Sequence, residues 1–148
     1  MPHFRGTVPS PASPERVFDY MADFSSVAEW DPTVTEAEAL EPEPGLGARF
    51  RVVVRALGRE TEYLYETVSY ERPSRVVVRA ETSSVVSLDT ITFAPAGAGT
   101  VMTYDAELTL KGAARLLELP MRIGFRRLAG NAKAGLEREL AGLGGAGE

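Results

Sequence analysis

Between Ala48 and Leu110 apolar and polar residues alternate nearly one for one, and on either side of that stretch the spacing changes to that of helices. Period-two alternation is the signature of half-buried strands. It predicts strands over Ala48–Ala56, Glu60–Tyr70, Arg75–Thr82, Val85–Phe93 and Val101–Leu110. The separators are Leu57-Gly58-Arg59, Glu71-Arg72-Pro73-Ser74, Ser83-Ser84 and Pro95-Ala96-Gly97-Ala98-Gly99. All are short enough for hairpins, so the expected sheet is an antiparallel meander. Phe50, Val52 and Val54 oppose Arg49, Arg51 and Arg55, while Met102, Tyr104, Ala106 and Leu108 oppose Thr103, Asp105 and Glu107. One face is therefore wet and the other dry.

The dry face needs a cover. From Ala113 to Leu143 the residues Leu117, Met121, Phe125, Leu128, Ala132, Leu136 and Leu140 recur at helical spacing. Pro120 divides a short lead-in over Ala113–Leu119 from a main helix beginning near Met121, and residues 142–148 are expected to fray as a tail. At the other end, His3 to Pro9 reads as a terminal strand. Ser13-Pro14-Glu15 then opens a helix with an N-cap, a proline in the first turn and an acid beside the dipole. A second helical turn is expected over Ser25–Trp30, with Ser26 and Glu29 at capping-box spacing and Asp31-Pro32 as its stop. A brief strand over Thr33–Ala39 and a proline-rich loop over Glu41–Gly45 complete the pass. No internal repeat or linker interrupts it, and 148 residues suit one domain spanning 1–148.

Composition narrows the chemistry. A net charge of -5 and a sequence pI near 5.0 disfavour nucleic acid or an anionic membrane as partner. Arg122, Arg126 and Arg127 have Glu118, Glu137 and Glu139 near them in sequence and read as a solvated helix face. With no cysteine there are no disulfides, thiolate nucleophiles or Cys-type metal sites, which fits a cytoplasmic protein. His3 is the sole histidine, a poor anchor for a catalytic triad or a multi-histidine metal site, and no metal or cofactor is expected. The N-terminus lacks signal-peptide order, and no apolar run approaches the ~20 residues of a membrane span.

The order strand, two short helices, about six antiparallel strands and a long C-terminal helix resembles the helix-grip superfamily. It is most similar to bacterial polyketide cyclase/dehydrase-type SRPBCC proteins, which are related to START lipid-transfer domains. The resemblance rests on Ser13-Pro14-Glu15-Arg16-Val17-Phe18-Asp19-Tyr20, on Asp23 through Trp30-Asp31-Pro32, and on Gly45-Leu46-Gly47-Ala48-Arg49-Phe50. Val68-Ser69-Tyr70-Glu71-Arg72-Pro73 and the stretch from Thr92 to Tyr104 complete it, and together these cover nearly the whole chain. The resemblance implies an α+β helix-grip fold, a curved antiparallel sheet of about seven strands around the long helix. It also implies a cavity for lipids, polyketides, sterols or similar molecules. These motifs carry caps, turns and core residues rather than chemistry, and such a fold hosts binders and enzymes alike.

The expected cavity wall is Trp30, Phe50, Val52, Val54, Leu64, Val78, Ile91, Tyr104, Met121, Phe125 and Leu128. The resemblance puts Trp30 near the cavity mouth, where it reads as a core plug or a ligand contact. Alternation with Ile91 and Phe93 turns Ser87 and Asp89 inward, so that Asp89 is a base with a raised pKa, a ligand partner, or a residue at a wet cavity end, unless a bulge turns it outward. Glu66 faces inward if it shares the phase of Leu64, Val68 and Tyr70; the other phase puts Tyr63 and Tyr65 there instead. Tyr104 faces inward either way, its hydroxyl available to a carbonyl or a neighbouring backbone group. Gly97 and Gly99 lack the following helix of a phosphate loop and read as hairpin glycines.

Three functions compete on these residues. The first is binding or carriage of a small hydrophobic or amphipathic molecule. The second is a cyclase- or aromatase-like enzyme using Asp89, Glu66 and Tyr104 as acid/base groups. The third is an interaction module, for instance a homodimer, with a vestigial cavity.

Overall fold

The computed structural model describes residues 3–56 and 58–143, without the side chains of 118, 119 and 121–123. Seven strands form one sheet: β1 (His3–Ser10), β2 (Val34–Ala39), β3 (Arg49–Ala56), β4 (Arg59–Glu71), β5 (Arg75–Glu81), β6 (Val85–Ala96) and β7 (Gly99–Leu110). Their order is β1-β7-β6-β5-β4-β3-β2, and every neighbouring pair is antiparallel. The meander from β2 to β7 is thus sequential, and β1 returns to pair with the last strand. Helices α1 (Pro14–Ala22), α2 (Val27–Trp30) and α3 (Glu118–Leu143), with 3-10 turns at Phe24–Ser26 and Gly112–Leu117, close the dry face.

Helix α1 starts as its sequence dictates. Ser13 Oγ accepts a hydrogen bond from Arg16 N at 3.3 Å, Pro14 opens the first turn, and Val17, Phe18, Met21 and Ala22 are buried. Phe18 is fully buried and meets Tyr70 and Phe93 edge-on, each at 5.2 Å. Burying such a side chain stabilises the fold by about 1.5–3 kcal/mol. The next cap differs from expectation. Asp23, not Ser26, caps the following turn, its Oδ1 accepting from Ser25 N and Oγ; Ser26 makes no capping bond, and Glu29 takes the Tyr20 hydroxyl at 2.7 Å instead.

Two strand boundaries also move. The expected loop Pro95–Gly99 shrinks to a two-residue turn, with Gly97 in the left-handed region at φ 60°. Pro95 is tolerated inside β6 because Phe93 N already bonds Ser74 O beyond the end of β5. Two residues on, the missing proline N–H points to a side with no strand to receive it. In β4 a bulge lies between Thr67 and Ser69. Tyr63, Tyr65 and Thr67 face inward before it and Tyr70 after it, while Leu64, Glu66 and Val68 are exposed. The extra residue flips the phase, so each of the two phases read from the sequence describes one half of the strand.

Helix α3 is anchored by its C-terminal half. Leu136 and Leu140 are buried, Ser10 Oγ donates to Leu140 O at 2.7 Å, and Arg138 Nη2 donates to Glu29 O at 3.3 Å. Gly135 lies so close to α2 that a Cβ there would sit 1.9 Å from the Trp30 carbonyl oxygen. The helix continues through Gly142 to Leu143, past the expected start of the frayed tail, because Leu143 still packs partly on the core; residues 144–148 lie outside the described residues. No helix among the described residues is long and apolar enough to cross a membrane.

Candidate functional site

A cavity of about 220 Å³ lies between α3 from Gly124 to Leu136, the α2–β2 connection and the inner faces of β3, β4, β6 and β7. Its inner end is fully enclosed: Phe24, Val27, Trp30, Val52, Tyr65, Ser87, Asp89, Tyr104 and Leu136 are all buried. Its outer end is half-buried, where Ala56 and Leu108 meet Gly124, Phe125, Leu128 and Ala129 of α3.

Register builds the polar inner end. Asp89 on β6 pairs with Ala106 of β7, and the diagonal neighbour Tyr104 donates its hydroxyl to Asp89 Oδ2 at 2.5 Å. On the other side, Ser87 pairs with Ala80 of β5, which in turn pairs with Tyr65 of β4. Ala80 is small enough for the Tyr65 hydroxyl to pass over it and meet Ser87 Oγ at 2.7 Å. Diagonal and next-but-one pairs of this kind are within reach of aromatic side chains on one face of a sheet. Asp31, just after α2, also lines the cavity, and its Oδ1 accepts from Thr33 N at 2.9 Å and Thr33 Oγ1 at 2.8 Å.

Burial dominates the electrostatics. Desolvation pushes the Asp89 carboxyl from 3.8 up to about 7; the Tyr104 hydrogen bond and Ser87 oppose that rise, and the charge of Asp31 adds to it. Asp31 is also raised, by desolvation, against its bonds from Thr33. Tyr65 and Tyr104 are pushed well above the usual phenol range, first by burial and then by the Asp89 charge. Near neutral pH the inner end therefore carries a carboxyl poised between its two forms beside tyrosines that stay protonated.

Among the described residues, the pairing of β1 with β7 brings together one possible ligand set for a metal, His3, Asp105 and Glu107, whose ligand atoms lie within 4.8 Å of one another. His3 Nε2 already bonds Asp105 Oδ1 at 2.8 Å and Arg5 approaches the same carboxylate at 3.9 Å. This is a surface charge network outside the enclosed end of the cavity.

Residues 1–141 match the protein family described as polyketide cyclase / dehydrase and lipid transport. The chain belongs to that family. No curated protein shows significant sequence similarity to it. Among solved structures it is similar to TTHA0849 from Thermus thermophilus, at 23% identity and TM-score 0.77, covering 94% of this chain and 97% of that one. A START superfamily protein from Mycobacterium smegmatis aligns at 14% identity and TM-score 0.73, covering 93% and 96%. The di-domain ARO/CYC StfQ of the steffimycin biosynthetic pathway aligns at 16% identity and TM-score 0.75, covering 97% of this chain and 50% of that chain. These likenesses identify the helix-grip fold.

Against this polyketide cyclase / dehydrase family fold, the expected wall divides. Trp30, Val52, Val54, Tyr104, Phe125, Leu128 and Asp89 line the cavity together. Trp30 sits at the enclosed end rather than the mouth, 3% exposed, with its ring 5.5 Å from that of Tyr104. Phe50, Val78 and Ile91 are buried in the core away from the cavity lining. Leu64 is 51% exposed on the outer face. Glu66 is exposed as well, paired in register with Arg49 and Arg79, so it lies on the opposite side of the sheet from Asp89 and leaves the acid/base set. The Met121 side chain lies outside the described residues. Asp31 and Thr33 were legible only as a helix stop and a strand start, Phe24 and Val27 carried no cavity signal, and Ala106 and Leu108 were legible as dry-face residues without being assigned to the wall.

Proposed function

We propose that this chain binds a small, mainly hydrophobic ligand bearing a polar group, with its apolar body between α3 and the sheet and its polar end against Asp89 and Tyr104. The observation that carries this is an apolar-walled cavity ending in a buried, poised carboxyl. A volume of about 220 Å³ is below the ~300–1,000 Å³ of common ligand sites. It corresponds to about seven waters at ~30 Å³ each. That size suits a one- or two-ring molecule better than a long-chain lipid.

The test is a screen of one- and two-ring apolar compounds by native mass spectrometry and thermal shift. A ligand present at a hundredfold excess over its Kd stabilises by about 2.7 kcal/mol, which raises Tm by roughly 5–10 °C in a chain of this length. One-to-one complexes with such a shift support the reading; a screen without any would remove it.

A second reading, an acid/base enzyme of the cyclase kind, is favoured by the Asp89 carboxyl at about 7, where a general base works best at neutral pH. Tyr104 then acts by holding that carboxyl, since its hydroxyl is already donated to it. Turnover of a ring-closing polyketide-like substrate should fall by about 10²–10⁴-fold in Asp89→Asn. An unchanged rate would reject this second reading.

A further inference from the structure

The charges and donors around the cavity are unevenly distributed. Its lining includes three carboxylates, Asp31, Asp89 and Glu107, and one cation among the described residues, Lys133. Lys133 Nζ is engaged by Glu137 Oε2 at 3.2 Å, one turn along α3. The hydroxyl protons are largely spent: Tyr104 donates to Asp89, Thr33 donates to Asp31, and Tyr65 and Ser87 bond each other. What remains open is acceptor capacity on carboxylate and hydroxyl oxygens, beside one buried donor without a partner, the neutral Trp30 Nε1–H. Around it stand aromatic faces from Trp30, Tyr63, Tyr65 and Tyr104. Carboxylates beside aromatic faces, without a neutralising cation, form the environment that stabilises a desolvated ammonium.

We propose that the cavity selects a primary amine carried as its ammonium on a one-ring or two-ring apolar body, and discriminates against carboxylates and phosphates of the same shape. This rests on the binding reading above. The ammonium hydrogen-bonds Asp89 at the enclosed end, with Asp31 as the second carboxylate, and stacks its substituent under Phe125 and Leu128. An anion placed there meets Asp31 and Asp89 with no free cation to receive it.

Binding should depend on pH. Lining the cavity with Asp89 are Tyr63 and Tyr65 from β4, Ser87 from its own strand, Tyr104 and Glu107 from β7, Asp31 and Thr33 after α2, and Lys133 from α3, while Asp105, on the other face of β7, adds only its charge. Burial keeps the three tyrosines uncharged. Asp89 and, less strongly, Asp31 are therefore the carboxyls that burial holds back from ionising, and an ammonium drives them to the charged form.

The experiment titrates 2-phenylethylamine, 2-phenylethanol and phenylacetate into the full chain by calorimetry at pH 5.5 and 8. The amine should bind at least tenfold more tightly than the alcohol at pH 8, lose about tenfold at pH 5.5, and release protons; phenylacetate should bind least. In Asp89→Asn the amine should lose its advantage over the alcohol, and Asp31→Asn, tested in parallel, should lose part of it. Alcohol or phenylacetate binding as tightly as the amine would overturn the inference and leave the binding reading standing. An amine advantage that survives both substitutions would also overturn it. Failure of all three probes, together with failure of the apolar screen, would overturn both.

Discussion

Replacing Asp89 with asparagine should stabilise the protein at alkaline pH and not at acidic pH. The Asp89 carboxyl titrates at about 7 in the folded protein and near 3.8 when free in water. The native state therefore holds this proton more tightly than the unfolded chain does. Below about pH 4 both states are protonated and the site costs nothing. Between about 4 and 7 the unfolded chain ionises first, so stability falls as pH rises, and above about 7 the whole penalty is present. A rise from 3.8 to about 7 is roughly a thousandfold in proton affinity, or about 4 kcal/mol at about 1.4 kcal/mol per tenfold. Asparagine keeps an oxygen for the Tyr104 hydroxyl but adds an amide that needs an acceptor, at a cost of about 1–3 kcal/mol if none is found. That cost is independent of pH. The informative quantity is therefore the change in the variant's advantage between pH 4.5 and 8.5, which the same linkage puts at about 3 kcal/mol. Urea unfolding of both proteins across that range, with equal m-values, measures it. Parallel stability curves would refute the argument that Asp89 is buried without a compensating cation.

Two other positions and one bond give sharp expectations. Gly135→Ala should cost at least about 3 kcal/mol, because its Cβ would meet the Trp30 backbone at 1.9 Å, whereas Gly130→Ala, with nothing within 4 Å, should gain about 0.5–1 kcal/mol. Denaturant midpoints should move in opposite directions, and two shifts of the same sign would contradict the close α2–α3 approach. Tyr104→Phe removes the hydrogen bond that most favours the charged form of Asp89, so the carboxyl should titrate above its present value of about 7. Carbon-detected NMR of the Asp89 side chain reads this, and a downward move would be inconsistent with the geometry.

The sheet was legible because alternation is close to regular where one face is dry: Phe50, Val52 and Val54 against Arg49, Arg51 and Arg55, and Met102, Tyr104, Ala106 and Leu108 against Thr103, Asp105 and Glu107. Asp89 and Ser87 followed from the same rule. Glu66 did not, because the extra residue at Val68 changes the phase of β4, and a polar and aromatic strand such as Arg59–Glu71 fits either phase equally well. The cavity depends on what is missing rather than on what is present. Ala106, Gly124 and Ala129 leave space, and small residues read the same in a packed core as beside a void. Asp31 was hidden for a different reason: Asp-Pro stops a helix in any context, and only the backbone turn to Thr33 aims its side chain at the cavity. Phe50, Val78 and Ile91 show the converse, apolar inward residues that pack against neighbours instead of lining the space.

Trp30 is the sole tryptophan and lies at the enclosed end of the cavity, so its fluorescence reports occupancy without a label. Titration with 2-naphthol should give a saturable, one-to-one change in Trp30 emission. Ala106→Leu, which fills the space opposite Asp89, should abolish the change while leaving Tm within a few degrees. No saturable change in the unmodified chain, or an equal change in the filled variant, would contradict the assignment of this cavity as the ligand site.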